Sequence, residues 1–374
     1  IVFGTGAFQQ IGSLVTPFGR RAFVVTGRNP ARAEPLIKIL SQNGIASTSF
    51  PVCGEPTIGA VEEGAERARR ESAEFVIGFG GGSALDAAKA IGVLVTNGGS
   101  ALDYLEVIGK GLALSQPSIP VVAIPTTAGT GAEVTRNAVL ASPEHRVKAS
   151  LRSPFMLPRI ALVDPEVTYD LPPALTATTG LDALTQLIEP YVSVRSNPMT
   201  DALCLDGMAR VARSLRPAFR VGHDPVARQD MAMASLFGGL ALANAALGAV
   251  HGFAAPIGGM FNAPHGAICA ALLPHVVKLN IRALRQRAPN SESLHRFQRV
   301  ARILTGQPDA YDYQAVDWLR ELCADLRIPS LSAFGLTAND FPMLIERGKQ
   351  ASSMKGNPIS LTDDELREVL ERAL

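Results

Sequence analysis

Short β-rich runs alternate with helical segments through the first 165 residues of this chain, and then the alternation stops. RAFVVTG (21–27) reads as a strand and PARAEPLIKILSQNG as a helix closed at Gly44. ASTSFPV and IGAVEEGAERARRES repeat the pair, as do EFVIGFG (74–80) and SALDAAKAIGVLV, and PVVAIPTT (120–127) is a later strand. Alternation at this spacing predicts a parallel sheet with helices on both faces. After LVDPEVTYDLPP the pattern changes. Pro172 and Pro173 suit the opening turn of a helix, and helical period then runs almost to the end. With 374 residues, two domains are expected. The reading is an α/β dinucleotide-binding domain with a parallel sheet at 1–170, joined to an all-α domain at 171–374.

Composition narrows the partners. A net charge of +1 gives no electrostatic case for nucleic acid or an anionic membrane, which leaves small molecules. Cys53, Cys204, Cys269 and Cys323 are scattered without a CxxC, and read as reduced, buried small hydrophobes in a cytoplasmic protein. The opening IVFGTGAF lacks a basic segment followed by an apolar one, so it does not read as a signal peptide. Leu236–Val250 is the longest apolar run. It is short for a membrane span and reads as one buried core helix.

GFGGGSALDAAK (78–89) follows a strand and opens a helix. Gly80, Gly81 and Gly82 let the backbone approach a ligand closely, and the helix start offers N–H groups and a positive dipole end. Ser83 and Asp86 have capping-box spacing. Alone, the stretch could be no more than a tight strand–helix turn. A second loop, PTTAGTGAEVT (125–135), adds hydroxyls at Thr126, Thr127 and Thr130 that can bond a phosphate or ribose. Two such loops at strand ends are what a dinucleotide crevice needs. The first strand ends at Gly27 and Arg28, where an NAD-specific site would place a carboxylate, so a 2′-phosphate is permitted. An ordinary solvated arginine is the alternative for Arg28.

In LPPALTATTGLDALTQLIEPYVS (171–193), Asp182 and Gln186 fall one turn apart on one helical face among leucines. A buried carboxylate needs a partner, and no Lys or Arg lies within a turn. VHGFAAPIGGMFNAPHG (250–266) places two of the chain's 6 histidines, His251 and His265, in small, apolar surroundings. Asp182, Gln186, His251 and His265 together would form an oxygen- and imidazole-rich cage for a divalent cation. Taken singly, either histidine could be a satisfied core residue.

Over nearly its whole length the sequence resembles the iron-containing (group III) alcohol dehydrogenase family. The matching pieces are GGGSALDAAKAI, PTTAGTGAEVT, LVDPEVTYDLPP with TTGLDALTQLIEPYVS, NPMTDALC, VHGFAAPIGGMFNAPHG, ALLPHV and KGNPISLTDDEL. The resemblance implies a dehydroquinate synthase-like architecture with the site between its two domains, and a homodimer or higher homo-oligomer in which IVFGTGAF could pair across subunits. It implies metal-assisted interconversion of alcohols with aldehydes or ketones, using NAD or NADP and Fe2+ or Zn2+. Asp182, His251 and His265 match three of the family's four metal positions, and Lys148 lies along the ribose and nicotinamide end by the same resemblance.

The chain departs from that pattern at three places. The family's helix histidine is Gln186 here, a neutral and weaker donor. A relay histidine in the family's AHPLG motif is Ala255, and the serine of AGTGSE is Ala132. These changes keep open a metal-independent reductase of the maleylacetate reductase type, or a non-catalytic nucleotide-binding relative. A phosphate-handling lyase would need a basic cluster near the site motifs, which they lack. His275 reads as structural. Phe237, Leu240, Phe253, Met260 and Phe261 suggest an apolar alcohol or aldehyde as substrate.

Overall fold

The computed structural model describes residues 1–261 and 263–374, so Asn262 of the 250–266 motif lies outside the described residues. The chain divides into two compact units, Ile1–Thr127 with Gly131–Tyr169, and Ala128–Thr130 with Asp170–Leu374.

The first unit carries β1 (Val2–Phe3), β2 (Arg21–Thr26), β3 (Ala46–Pro51), β4 (Phe75–Gly80), β5 (Val121–Pro125), β6 (Asn137–Ser142), β7 (Val147–Arg152) and β8 (Ile160–Val163). Six of them form one parallel sheet in the order β1-β8-β5-β4-β2-β3. Its helices are α1 (Ile11–Val15), α2 (Glu34–Gln42), α3 (Ile58–Arg70), α4 (Gly82–Asn97) and α5 (Ala101–Tyr104). Successive strand residues feed two cores. Ala22, Val24, Phe75 and Ile77 pack with Ile11 and Val15 of α1 and Leu36 and Leu40 of α2. Phe23, Val25 and Val76 face the other way, onto Val61 and Ala65 of α3 and Ala87 and Ile91 of α4. Both faces are covered, which is why the central strands β2, β4 and β5 are apolar at most positions.

Two features escape the strand–helix pattern. IVFGTGAF contributes only the two-residue β1, which pairs in parallel with β8 at the sheet edge. NAVLAS and VKASLR form an antiparallel hairpin, β6–β7, whose Ala138, Leu140, Ala149 and Leu151 enter the α3–α4 core. These strands are rich in Ala and Ser, so intrinsic β-propensity gives them little signal.

The second unit is helical: α6 (Pro173–Val192), α7 (Pro198–Arg220), α8 (Pro225–Ala245), α9 (Ala249–Met260), α10 (His265–Arg287), α11 (Glu292–Thr305), α12 (Asp312–Asp325), α13 (Phe341–Gln350) and α14 (Asp363–Ala373). Pro173 takes the first position of α6, where its missing N–H costs nothing. The run 236–250 is not the single helix expected. α8 ends at Ala245, Ala246 turns to a φ of 68°, and α9 starts at Ala249 with its axis bent by 100°. The break is fixed by polar groups from elsewhere in the unit. The Ala249 N–H donates to Asn357 Oδ1 at 3.1 Å and the Val250 N–H to Glu189 Oε1 at 2.7 Å, starting a new helix. The next helix, α10, is long and apolar enough to cross a membrane, but 83% of that stretch is buried inside the protein, as in a core helix.

None of the cysteines is in a disulfide, but they are not all buried: Cys53 is exposed and Cys323 half-buried. Burial pushes the Cys204 thiol up to about 12. His275 on α10 has a shielded Nδ1 without a hydrogen-bond partner among the described residues. Burial, reinforced by Arg320, Arg372 and Lys278, depresses its imidazolium to about 4. A histidine depressed on folding binds its proton more readily in the unfolded chain, so its contribution to stability is complete above about pH 6.5 and is lost toward pH 4. We expect His275→Gln to remove that loss. The difference in melting temperature between wild type and variant should shift against the wild type as pH falls through this window, and a pH-independent difference would contradict it.

Candidate active site

After β2 the chain lays β3 on one side and then returns to place β4 on the other. The carboxyl ends of β2 and β4 therefore flank a topological switch point, where open parallel sheets bind ligands. Gly27 ends the first strand and Gly80, Gly81 and Gly82 follow the second. A Cβ on Gly80 would lie 2.6 Å from Ala84 Cβ, so this glycine serves close helix packing, whereas a Cβ on Gly27 would meet nothing within 4 Å. α4 is N-capped by Gly81 with no side-chain hydrogen bond, so its first-turn N–H groups suit a pyrophosphate. The buried Thr26 hydroxyl beside them has no hydrogen-bond partner among the described residues. These observations fit the phosphates and ribose of a dinucleotide.

Other expected cofactor residues are already engaged. The Ser83–Asp86 capping box does not form, because the helix starts one residue ahead of Ser83. Asp86 instead pairs through Oδ1 with Lys89 Nζ at 2.9 Å and accepts from the Val139 N–H at 2.9 Å. Lys89, fully buried, also donates to the Ala132 carbonyl and to Thr135 Oγ1. This pair ties α4 to β6 and to the second loop. Thr126 is buried, with its N–H on the Gly80 carbonyl at 2.8 Å. Thr127 packs its methyl against Gly81, Thr130 groups with the helical unit, and Lys148 Nζ sits 3.0 Å from Glu55 Oε1.

In the helical unit, Asp182 of α6, His251 of α9 and His265 of α10 converge, and Cys269 of α10 joins them. One ligand atom from each lies within 4.8 Å of all the others. Asp182 Oδ1 is 3.5 Å from His251 Nε2 and 3.6 Å from His265 Nε2. Cys269 Sγ is 3.6 Å from His265 Nε2 and 3.8 Å from His251 Nε2. Asp182 and Cys269 are buried, and His265, with 34% of its side chain exposed, is the open side of the group. Burial opposes charge on Asp182, but His265 and His251 outweigh it and hold the carboxyl below the usual range. Burial likewise opposes charge on His265, while Cys269 and Asp182 lift its imidazolium to about 9.

Gln186, buried one turn along α6, has an Oε1 without a hydrogen-bond partner among the described residues, as does Asp182 Oδ1. A buried Asp182 oxygen without a hydrogen bond, beside two imidazoles and a thiol, is a donor set that a divalent cation satisfies. His251 is oriented from behind, its Nδ1 2.7 Å from Glu189 Oε2, so that Nε2 faces the cluster.

With this geometry the comparisons with known proteins agree. The family model for iron-containing alcohol dehydrogenase matches residues 1–165, and that for the C-terminal part of the Fe-containing alcohol dehydrogenase family matches 176–374. The chain belongs to the iron-containing alcohol dehydrogenase family. It is therefore an oxidoreductase. It is 38% identical over 320 residues to alcohol dehydrogenase 4 of Schizosaccharomyces pombe, covering 85% of this chain and 73% of the relative. Its fold matches a crystal structure of 1,3-propanediol oxidoreductase with a TM-score of 0.91 and 33% identity, covering 100% and 97% of the two chains. Sulfoacetaldehyde reductase from Bifidobacterium kashiwanohense, in complex with NAD+, matches with a TM-score of 0.87 and 29% identity over 99% and 95%.

Glu189 and Cys269 stand at this cluster but are not among the residues that the motifs single out. Both were marked by helical spacing: Glu189 lies seven residues after Asp182 and Cys269 four after His265, each on the face of a candidate ligand. Of the apolar residues expected to meet substrate, Phe253 is instead fully buried against Gly348 in the core. For Asp86 the structure makes a distinct forecast. Asp86→Ala should strand the buried Lys89 and destabilise the protein without cofactor by about 3 kcal/mol, read from urea unfolding. A change confined to dinucleotide affinity would refute this role.

Proposed function

We propose that this chain interconverts small alcohols with their aldehydes or ketones, using NAD or NADP and a divalent metal, iron or zinc. The convergence of Asp182, His251 and His265 carries the reading, since these residues come from three helices and meet at unpaired buried oxygen. The relatives named above, an alcohol dehydrogenase, a propanediol oxidoreductase and an aldehyde reductase, support the same reaction class. When bound, the cation supplies Lewis acidity toward an alcohol or carbonyl oxygen, and the nicotinamide gives or takes the hydride.

The chain's own residues account for the rest. Asp182 contributes a carboxylate and His251 and His265 two imidazoles, while Glu189 fixes the His251 tautomer. In the 1–170 domain, the N–H groups of Gly82 and Ser83 hold the pyrophosphate, with the hydroxyls of Thr126 and Thr127 along the ribose. Gly27 leaves open space beside the exposed Arg28, which accommodates a 2′-phosphate. Ala255 has no group to carry a proton, so the hydroxyl proton leaves through water or ribose hydroxyls. A metal-independent reductase is disfavoured by Asp182 itself, because a bare buried carboxylate would repel a developing oxyanion. The unpaired cysteines fit a reducing, cytoplasmic setting, and a homo-oligomer follows from the resemblance alone.

Aldehyde-dependent oxidation of NADPH or NADH should vanish after complete chelation and return with added divalent metal. Turnover that survives metal removal would overturn the metal role. Gly27→Asp should shift the ratio of kcat/KM for NADPH over NADH toward NADH, because the new carboxylate repels a 2′-phosphate and accepts from a 2′-hydroxyl. An unchanged ratio would place the adenosine elsewhere.

A further inference from the structure

We propose that the Cys269 thiolate, rather than the Gln186 amide, is the fourth metal donor, so that this chain holds its metal with one carboxylate, two imidazoles and one thiolate, a set suited to zinc. The inference rests on the metal-assisted reading above and specifies its ligand set.

Distances support it first. In a tetrahedral zinc site, bonds of about 2.0 Å to nitrogen or oxygen and about 2.3 Å to sulfur set donor-to-donor edges of about 3.3 Å between the lighter atoms and about 3.6 Å to sulfur. The edges observed are 3.5 and 3.6 Å from Asp182 Oδ1 to the two Nε2 atoms, and 3.6 and 3.8 Å from Cys269 Sγ to the same atoms. Four of the six edges between donors on three helices thus have the size a tetrahedral site needs, and all four donor atoms lie within 4.8 Å of one another.

The ligand charges are compatible with it. Asp182 and a Cys269 thiolate bring two negative charges to a dication, and the two neutral imidazoles add none. The Glu189 carboxylate outside the ligand set is met by the Val250 N–H and His251 Nδ1. Metal binding deprotonates the thiol, and the proton passes to solvent. Thiolate is also a donor that zinc takes together with imidazole and carboxylate. Sequence placement agrees, because Cys269 follows His265 by one helical turn on α10, just as Gln186 follows Asp182 on α6. The imidazole absent from α6 is thereby replaced by a thiolate on α10.

Cobalt(II) distinguishes the candidates, because a cobalt–thiolate bond gives an intense near-ultraviolet charge-transfer band that nitrogen and oxygen donors lack. The apoprotein and the variants Cys269→Ala, Gln186→Ala and Asp182→Asn would be titrated with cobalt and with zinc, with circular dichroism melts to confirm folding. We expect the band in wild type and in Gln186→Ala, its loss in Cys269→Ala, and a fall in zinc affinity of at least about tenfold for Cys269→Ala and Asp182→Asn but not for Gln186→Ala. In Cys269→Ala, adding Gln186→His should restore tight binding without the band, which also shows that loss of metal is not loss of fold. Visible cobalt bands without the charge-transfer band in wild type, or a band that persists in Cys269→Ala, would overturn the thiolate while leaving the metal site intact. Failure of wild type to bind cobalt or zinc at all, with Asp182→Asn indistinguishable from it, would instead overturn the metal reading on which this rests.

Discussion

The carboxylate of Glu189 is the constraint on which the helical unit's site depends. It is buried, and both of its oxygens are used: Oε1 accepts from the Val250 N–H and Oε2 faces His251 Nδ1, each at 2.7 Å. A negative charge at the first turn of α9 complements the dipole of that helix, and charge-assisted bonds of this kind contribute about 1.5–3 kcal/mol each. One side chain therefore decides where α9 begins and which way its histidine points. The same contact explains the glycine at 248, whose Cβ would sit 2.8 Å from Glu189 Oε1 and 3.0 Å from Asn357 Oδ1. Asn357, from the KGNPIS tail, completes the cap on Ala249 and exchanges hydrogen bonds with Asn280 of α10. A motif far along the sequence is thus tied to the helix that carries His251.

The small residues of this unit serve the same positioning. α6 carries Asp182, Gln186 and Glu189 on one face and is approached closely on several sides. Gly207 of α7 lies where a Cβ would collide with Leu187 at 2.6 Å, and Gly266 of α10 where one would lie 2.7 Å from the Thr178 carbonyl. Gly238 of α8 leaves a Cβ only 3.2 Å from Gln186 Cβ. Interiors are packed too densely for such neighbours to give way easily. Larger residues there would push the helices off α6, and a displacement of about an ångström is enough to separate donors that must share one cation.

How much of this could be read in the sequence depended on whether the signal was periodic or positional. Strands with two covered faces announce themselves as apolar runs, so β2, β4 and β5 were legible, whereas the half-exposed Ala- and Ser-rich hairpin β6–β7 was not. The run 236–250 is interrupted only by Asn244, which gives no sign of its 100° bend, because Glu189 and Asn357 that impose it are distant in sequence. In the site, Asp182, His251 and His265 stood out as polar groups in apolar surroundings. Cys269 did not, since a cysteine among alanines and leucines looks like any core residue until its neighbours are known. Asp86 misled in the opposite direction: its spacing from Ser83 suggested a cap, while the buried ammonium of Lys89 claims it.

The treatment of other buried carboxylates shows why Asp182 stands apart. Asp230 is closed by Arg210, Arg213 and the Ser214 hydroxyl at 2.6 to 2.8 Å. Asp312 is gripped by Arg285 and Glu365 by Arg287, and Asp164 accepts the N–H groups of Phe8 and Glu166. Each is satisfied by donors that never leave, as a buried charge must be. Asp182 is as deeply buried, yet its Oδ1 lacks a hydrogen bond among the described residues and faces two imidazoles and a thiol instead of a guanidinium. Beside these closed carboxylates, Asp182 is left open. The replacement of a helix histidine by Gln186 has therefore not released the site from its electrostatic demand: the buried carboxylate still requires a cation, and its nearest neighbours are groups whose lone pairs one cation can share.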